Sequence, residues 1–497
     1  MILLILLTLP IILIYLLQRN RKAVTNILPP GPPGLPLIGN LHQVGTARTL
    51  HVYLWQLSKK YGPIIHMKLG PVPVLVVSSA KLAKEVLKTQ DLAFCSRPKV
   101  LGQQKLSYNG LDMVFAPYND HWREMRKITA IHLFSLRKAQ SFRPIREDEI
   151  SRMVTKIASF ASCHKIVNLS EIAMTLGSTL ICRIAFGKRY EEQGSEMRRF
   201  DELLHEAEAV AAAFYVSDYF PIFSWVDKLT GSINRLDMTV KDLDSFYQEL
   251  IDEHLDPDRV KNMEEEEDIL DILIKIKEQK SIDINWDHIK ALLTDIFIAG
   301  TDTSASSIVW TMTALMKAPN VMEKLHAEIR NLIGKKGKVD EDDLPKLPYL
   351  KAVINETFRL YPVAPLLVPR ETIERCTLEG YEIQPKTVVY VNTWAVARDP
   401  EYWENPGEFL PERFLNNDID IKGQDFGVIP FGSGRRMCPG MFMGLANVEL
   451  TIANLLYSFD WELPPGMQPE DVDTEALPGI AVHKKHALLL VPKKYVV

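Results

Sequence analysis

From Ala80 to about Leu360 apolar residues recur at helical spacing, and strand-like stretches lie only on either side of that block. A doubly wound α/β chain, in which strands and helices alternate throughout, is therefore excluded. The pattern predicts a mainly α fold with minor β sheets. Loops interrupt the block near residues 95–118, 217–234 and 254–268, the last ending in the acidic run Glu264 to Asp268, which reads as a solvated surface. Before the block, YGPIIHMKLGPVPVLVVSS between Tyr61 and Ser79 reads as a small hairpin-rich sheet. After it come a second strand-like zone at 364–394, a Pro- and Gly-rich stretch at 400–440, and a helical pattern from Met441 to Phe459.

The chain has 497 residues, 46% apolar and 24% charged, which suits a large buried core and not disorder. No Gly/Ser linker or internal repeat divides the body, so one large domain fits as well as several. The net charge of -5 hides an asymmetry: nine Lys/Arg precede the first acid, Glu85, so the first 84 residues carry +9 and the rest -14 (-5 minus 9). A basic amino-terminal end on an acidic body suits an anionic membrane surface better than nucleic acid. The five cysteines are widely spaced with no CxxC pair, so neither a disulfide framework nor a zinc site is indicated. GxGxxG and Walker loops are missing too, which leaves the chain without a nicotinamide or flavin site of its own.

Residues 1–17, MILLILLTLPIILIYLL, contain only Thr8 and Pro10 outside the apolar set and are followed by Arg19, Arg21 and Lys22. As a helix they would span about 26 Å, near the thin endoplasmic reticulum bilayer of about 27 Å. Charge follows the apolar run instead of preceding it, and no small-residue cleavage site is present, so the segment reads as a retained transmembrane anchor. The positive-inside rule then places everything after it in the cytosol. Residues 18–36, basic and then proline-rich (LPPGPPG), form a stiff hinge. The folded domain is expected over 37–497.

The segment FGSGRRMCPG, Phe431 to Gly440, puts Cys438 in a Gly-rich loop just before a helix. Two neighbouring arginines and a helix amino terminus favour thiolate over thiol. Glycines let the backbone approach a flat partner closely.

These residues match F-x-x-G-x-R-x-C-x-G, and by that signature the chain resembles the cytochrome P-450 monooxygenases. The resemblance implies heme b with Cys438 as axial thiolate ligand to iron, whose negative charge favours O–O cleavage. Phe431 and Arg436 belong to the same motif. Glu356 and Arg359 in NETFRLYP, with Arg413 in PERF, match the family's buried structural lock. Two other ExxR pairs, Glu149/Arg152 and Glu196/Arg199, read as exposed helix pairs. In AGTDTS, Thr303 can bond back to the carbonyl of Ala299 and open the helix running from about Asp287 to Met316. The resemblance assigns Asp302 and Thr303 to proton delivery during oxygen activation. Trp122 and Arg126, in a W-x-x-x-R helix, and Arg370 and Arg436 match positions that hold the haem propionates. Pro369 stands where plant members often have His, removing one donor.

The wording of KYGPI, FGKRY, LPYLKAVINETFRLYP and PFGSGRRMCPG is most similar to the large plant microsomal group. The resemblance covers nearly the whole chain. It implies a single-pass endoplasmic reticulum enzyme taking electrons from a separate NADPH-cytochrome reductase, with cytochrome b5 a further candidate donor. Arg123, Lys127, Arg137 and Lys138 are candidate docking charges. By family position the pocket draws on Val100 to Phe115, Val210 to Phe223, Ile296 to Thr303, Val363 to Val368 and Leu477 to Ile480. These stretches hold few acids or bases beyond Asp302, which favours a small, largely uncharged terpenoid, phenylpropanoid, alkaloid precursor or oxime. Alternatives are a haem-thiolate isomerase or lyase acting without net oxygen insertion, and a non-catalytic haem binder.

Overall fold

Asn285 opens a 32-residue helix, Trp286–Lys317, with a capping box: its side chain accepts from the His288 backbone N–H at 3.1 Å, and the His288 ring accepts from the Asn285 N–H. The computed structural model containing it describes residues 28–45, 49–192, 194–259, 267–279, 282–417 and 419–496. The anchor read over 1–17 and residues 18–27 of the hinge lie outside the described residues. Apolar residues ring the helix on all sides, which makes it a core helix. Between Ile289 and Met316 only residues 298–300 and Thr303 escape full burial, and Ala299 and Thr303, one turn apart, are the exposed ones. The interior therefore opens onto a space at AGTDTS.

The helix Leu169–Phe186 packs against this central helix. Close approach requires glycine at 177, where a Cβ would lie 2.6 Å from the Thr301 carbonyl oxygen; a Cβ at Gly300 would lie 2.4 Å from Ile181 Cδ1, the end of a side chain that can turn aside. Leu169–Phe186 is apolar enough to cross a membrane, but 72% of it is buried inside the protein, as befits a core helix. The central helix runs unbroken through 299–304, which corrects the expected local opening. Space arises there from small side chains and from Thr303, whose hydroxyl donates to the Ala299 carbonyl at 2.8 Å as its spacing predicts.

Strands Ile64–Leu69 and Val72–Val77 form the expected hairpin, paired from Ile64 with Val77 to Leu69 with Val72. Val72–Val77 then pairs in parallel with Val388–Val391, which also carries Arg370–Glu371. This crossover joins the two strand zones on either side of the helical block, bringing Ser96 against Glu371. A second sheet, in which Leu489–Lys494 lies between Phe459–Glu462 and Val167–Asn168, has no counterpart in the sequence pattern because its strands are short and far apart in the chain. The last long helix, Met441–Ser458, starts where expected. On the hinge, the Pro30 carbonyl already accepts from the His66 N–H at 2.9 Å, so the proline-rich segment lies along the hairpin.

Candidate functional site

The Cys438 loop is held by its own backbone and by Asp91. The Cys438 N–H donates to the Phe431 carbonyl at 2.9 Å, and the Arg435 N–H and guanidinium both donate to Asp91 Oδ2. Gly434 adopts φ +70°, and a Cβ there would fall 2.1 Å from the Leu87 carbonyl oxygen, so no other residue fits. Cys438 is accessible only in the sense that it faces an internal cavity of about 590 Å³. Burial pushes its thiol up, against the opposing pull of the Gly440 N–H and Arg126. That corrects the sequence reading: Arg435 and Arg436 are turned to other partners, and the guanidinium acting on the sulfur is Arg126.

Guanidiniums with no carboxylate in salt-bridge contact among the described residues gather beside the same cavity, the charge of Asp112 acting on Arg97 and Arg436 from further off. Among the described residues Arg126 has one hydrogen bond, a 3.6 Å contact with Met113 Sδ. Arg436 stacks 4.2 Å over the Trp122 ring and spends its donors on the carbonyls of Cys95, Met113 and Ala116. Trp122 itself donates to the Met113 carbonyl at 2.9 Å. Arg97, which no motif pointed to, donates to the carbonyls of Val114, Val368 and Pro369. Burial pushes Arg126 and Arg97 down, and brings Arg436 to about 10. Arg370 differs, because Asp91 Oδ1 neutralises it at 2.7 Å. A cysteine facing a cavity, beside buried guanidiniums that lack carboxylates, fits a flat prosthetic group bearing acidic side chains.

Across the cavity Asp302 is not alone. Its Oδ2 pairs with His483 Nε2 at 2.8 Å, and His483 Nδ1 contacts Ser306 Oγ at 3.1 Å. Burial disfavours the His483 cation, yet the hydrogen bond and charge of Asp302, with Glu208 behind it, raise its pKa above the ordinary value. Glu208, from helix Ser195–Ala212, completes the group, and burial together with the charge of Asp302 pushes it up to about 8. Both residues were missed: Glu208 lies two positions before Val210 and His483 three after Ile480, just outside the expected pocket segments. Asp112 and Asp295 also line the cavity and bind the N–H groups of Phe115 and Met113, tying that loop to the central helix. Burial raises both, Asp112 to about 6. The wall therefore holds more acids than the sequence suggested.

Glu356 and Arg359 are fully buried and doubly bonded at 2.6 and 2.8 Å; Arg413 adds a third bond at 3.0 Å and the Leu410 N–H a fourth. The other ExxR pairs do not form. Arg152 turns to Asp148 and Arg199 to Glu249, while Glu149 is buried and takes Arg183 at 2.7 Å and Arg189 at 2.8 Å. Glu149 is thus an interhelical clasp, contrary to its reading as exposed.

Taken together, a thiol, guanidiniums bonded to carbonyls instead of carboxylates and a helix-borne Thr facing one cavity define a protein that seats a thiolate-bound haem. Residues 29–491 match the family model described as Cytochrome P450, and the chain belongs to that family. It is 52% identical to a 6,7,8-trihydroxycoumarin synthase of Pastinaca sativa, covering 98% of this chain and 97% of that one. It is 50% identical to a 5-OH-xanthotoxin synthase of Ammi majus, covering 99% and 98%. A zebra fish cytochrome P450 structure with progesterone superposes with a TM-score of 0.76 at 26% identity, over 89% of this chain and 99% of that one. The protein is a plant haem-thiolate monooxygenase of specialised metabolism, using dioxygen and electrons from a redox-partner reductase; plant members of this type are generally membrane-associated.

Proposed function

We propose that the chain inserts one oxygen atom into a coumarin-type phenolic. Its carrying observation is that Cys438 and the exposed Thr303 open onto one largely apolar cavity of about 590 Å³. The coumarin class is supported by the names of relatives that align along almost the full chain. Cys438 would hold the haem, with Arg97, Arg126, Arg436 and Trp122 around its propionates, Phe431 against it, and Arg370 acting through Asp91 and Ser433 on the loop. Bound there, haem supplies dioxygen activation with two electrons from the reductase.

The remaining chemistry belongs to side chains. Thr303 gives its proton to the Ala299 carbonyl, which leaves its oxygen free to accept from a water or substrate in the cavity. Asp302, paired with His483, is a proton donor and acceptor one residue away. In this reading residues 37–497 form the catalytic domain, on the cytosolic side of an endoplasmic reticulum membrane, with 1–17 as a lipid-embedded anchor and 18–36 as hinge. Cytochrome b5 would serve as a second electron donor beside NADPH-cytochrome reductase, and Arg123, Lys127, Arg137 and Lys138 are the docking charges. Incubation with reductase, NADPH, labelled dioxygen and a panel of coumarins should yield a product carrying one labelled atom. Product formation without NADPH would instead establish an isomerase or lyase.

A further inference from the structure

Glu208, Asp302 and His483 come from three separate elements: helix Ser195–Ala212, the central helix and the segment following Ile480. One ligand atom from each lies within 4.8 Å of the other two. The cluster stands in the wall of a cavity whose lining includes the apolar Ala209, Ile296, Ala299 and Ile480 as well as the polar His205 and Ser304. Two of its oxygens, Glu208 Oε1 and Asp302 Oδ1, are buried without a hydrogen-bond partner, and the Asp302 side chain is only 3% exposed. Buried polar atoms in folded proteins are almost always satisfied, so unmet capacity in a cavity wall marks where a ligand group belongs.

The bonding already present narrows that group. His483 has both ring nitrogens engaged, Nε2 with Asp302 and Nδ1 with Ser306, so it keeps no lone pair for a metal ion. Asp302 offers one free acceptor oxygen. Glu208, which holds its proton at neutral pH, offers an O–H donor. A group that donates once and accepts once matches this pair, as a hydroxyl does. We propose that Glu208 and Asp302 together form the recognition point for a hydroxyl on the aromatic substrate, which donates to Asp302 Oδ1 and accepts from the Glu208 carboxyl. His483 is a positioning residue that fixes the Asp302 carboxylate. This assignment rests on the reading of the cavity as an aromatic-substrate site.

The test uses the haem-loaded enzyme and two matched pairs of probes, 7-hydroxycoumarin against 7-methoxycoumarin and 2-naphthol against 2-methoxynaphthalene. Dissociation constants come from the shift of the haem band and from calorimetry. Wild type is expected to bind each hydroxyl compound about ten-fold more tightly than its ether, since the ether leaves a buried acceptor unpaired. Asp302→Leu and Asp302→Ala, which take away the acceptor, should remove that preference, whereas Glu208→Leu, which takes away only the donor, should weaken hydroxyl compound and ether alike, and Glu208→Gln, which keeps a donor, should not. A wild type with no hydroxyl preference, a preference unchanged in Asp302→Leu, or binding untouched by Glu208→Leu overturns the assignment; the wild-type result decides even where a variant loses haem. If the naphthol pair shows the Asp302-dependent preference while neither coumarin binds, the coumarin reading falls and the cluster stands. If coumarins bind with a preference independent of Asp302, the reverse holds. Failure of all four probes to bind overturns both.

Discussion

Two buried charge clusters in this protein look alike in composition and differ in saturation. Glu356, Arg359 and Arg413 satisfy one another and the carbonyls of Ala397, Pro406 and Glu408 around them. Glu208, Asp302 and His483 leave two carboxyl oxygens unpartnered at a cavity wall. A saturated buried network has nothing left to offer a ligand and acts on the fold; an unsaturated one costs stability and is kept where a ligand completes it. The contrast assigns opposite roles to two sets of residues that a charge count would treat as equivalent.

The largest effect is expected in the saturated cluster. Glu356→Ala strands Arg359 without its charge partner in the core, at a cost on the order of 3–5 kcal/mol. Little haem-loaded protein should be recovered, as read by haem content per mole of chain. Wild-type recovery and stability would show that the network is not a structural lock. Next in size is the oxygen step. Thr303→Ala should leave haem content and substrate affinity nearly unchanged while a larger share of the NADPH consumed ends as peroxide, because a group serving a late step costs turnover and not ground-state binding. Unchanged coupling would reduce AGTDTS to a packing device.

A smaller effect separates the clusters by pH. Glu208 holds its proton up to about pH 8 in the folded chain but only to about 4.5 when unfolded. Between those values the folded state binds a proton that the unfolded state lacks, so this group's contribution to stability falls as pH rises across that window. Glu208→Gln should flatten that part of the melting-temperature profile. A profile identical to wild type would mean that Glu208 is not held protonated.

Legibility followed sequence distance. Cys438, Phe431 and Arg436 sit in one ten-residue motif, and Glu356 and Arg359 share one helix face, so local spacing exposes them. Thr303 and Ala299 are likewise one turn apart. Arg97 reaches Val368 and Pro369 across the crossover between sheet zones, and His483 meets Asp302 from the far end of the chain; no periodicity records such pairings. Glu149 shows the converse error. An i, i+3 arginine was present, but tertiary packing offered the Arg183 and Arg189 guanidiniums instead, and helix spacing alone carries no information about that choice.

Everything said of both clusters depends on the cavity being a haem pocket with Cys438 as its ligand. The direct measurement is the absorption spectrum of the reduced carbon monoxide complex in wild type and Cys438→His. Wild type should show the red-shifted Soret band characteristic of thiolate ligation, and the variant should lose it whether or not haem is retained. Persistence of that band in Cys438→His would contradict the account.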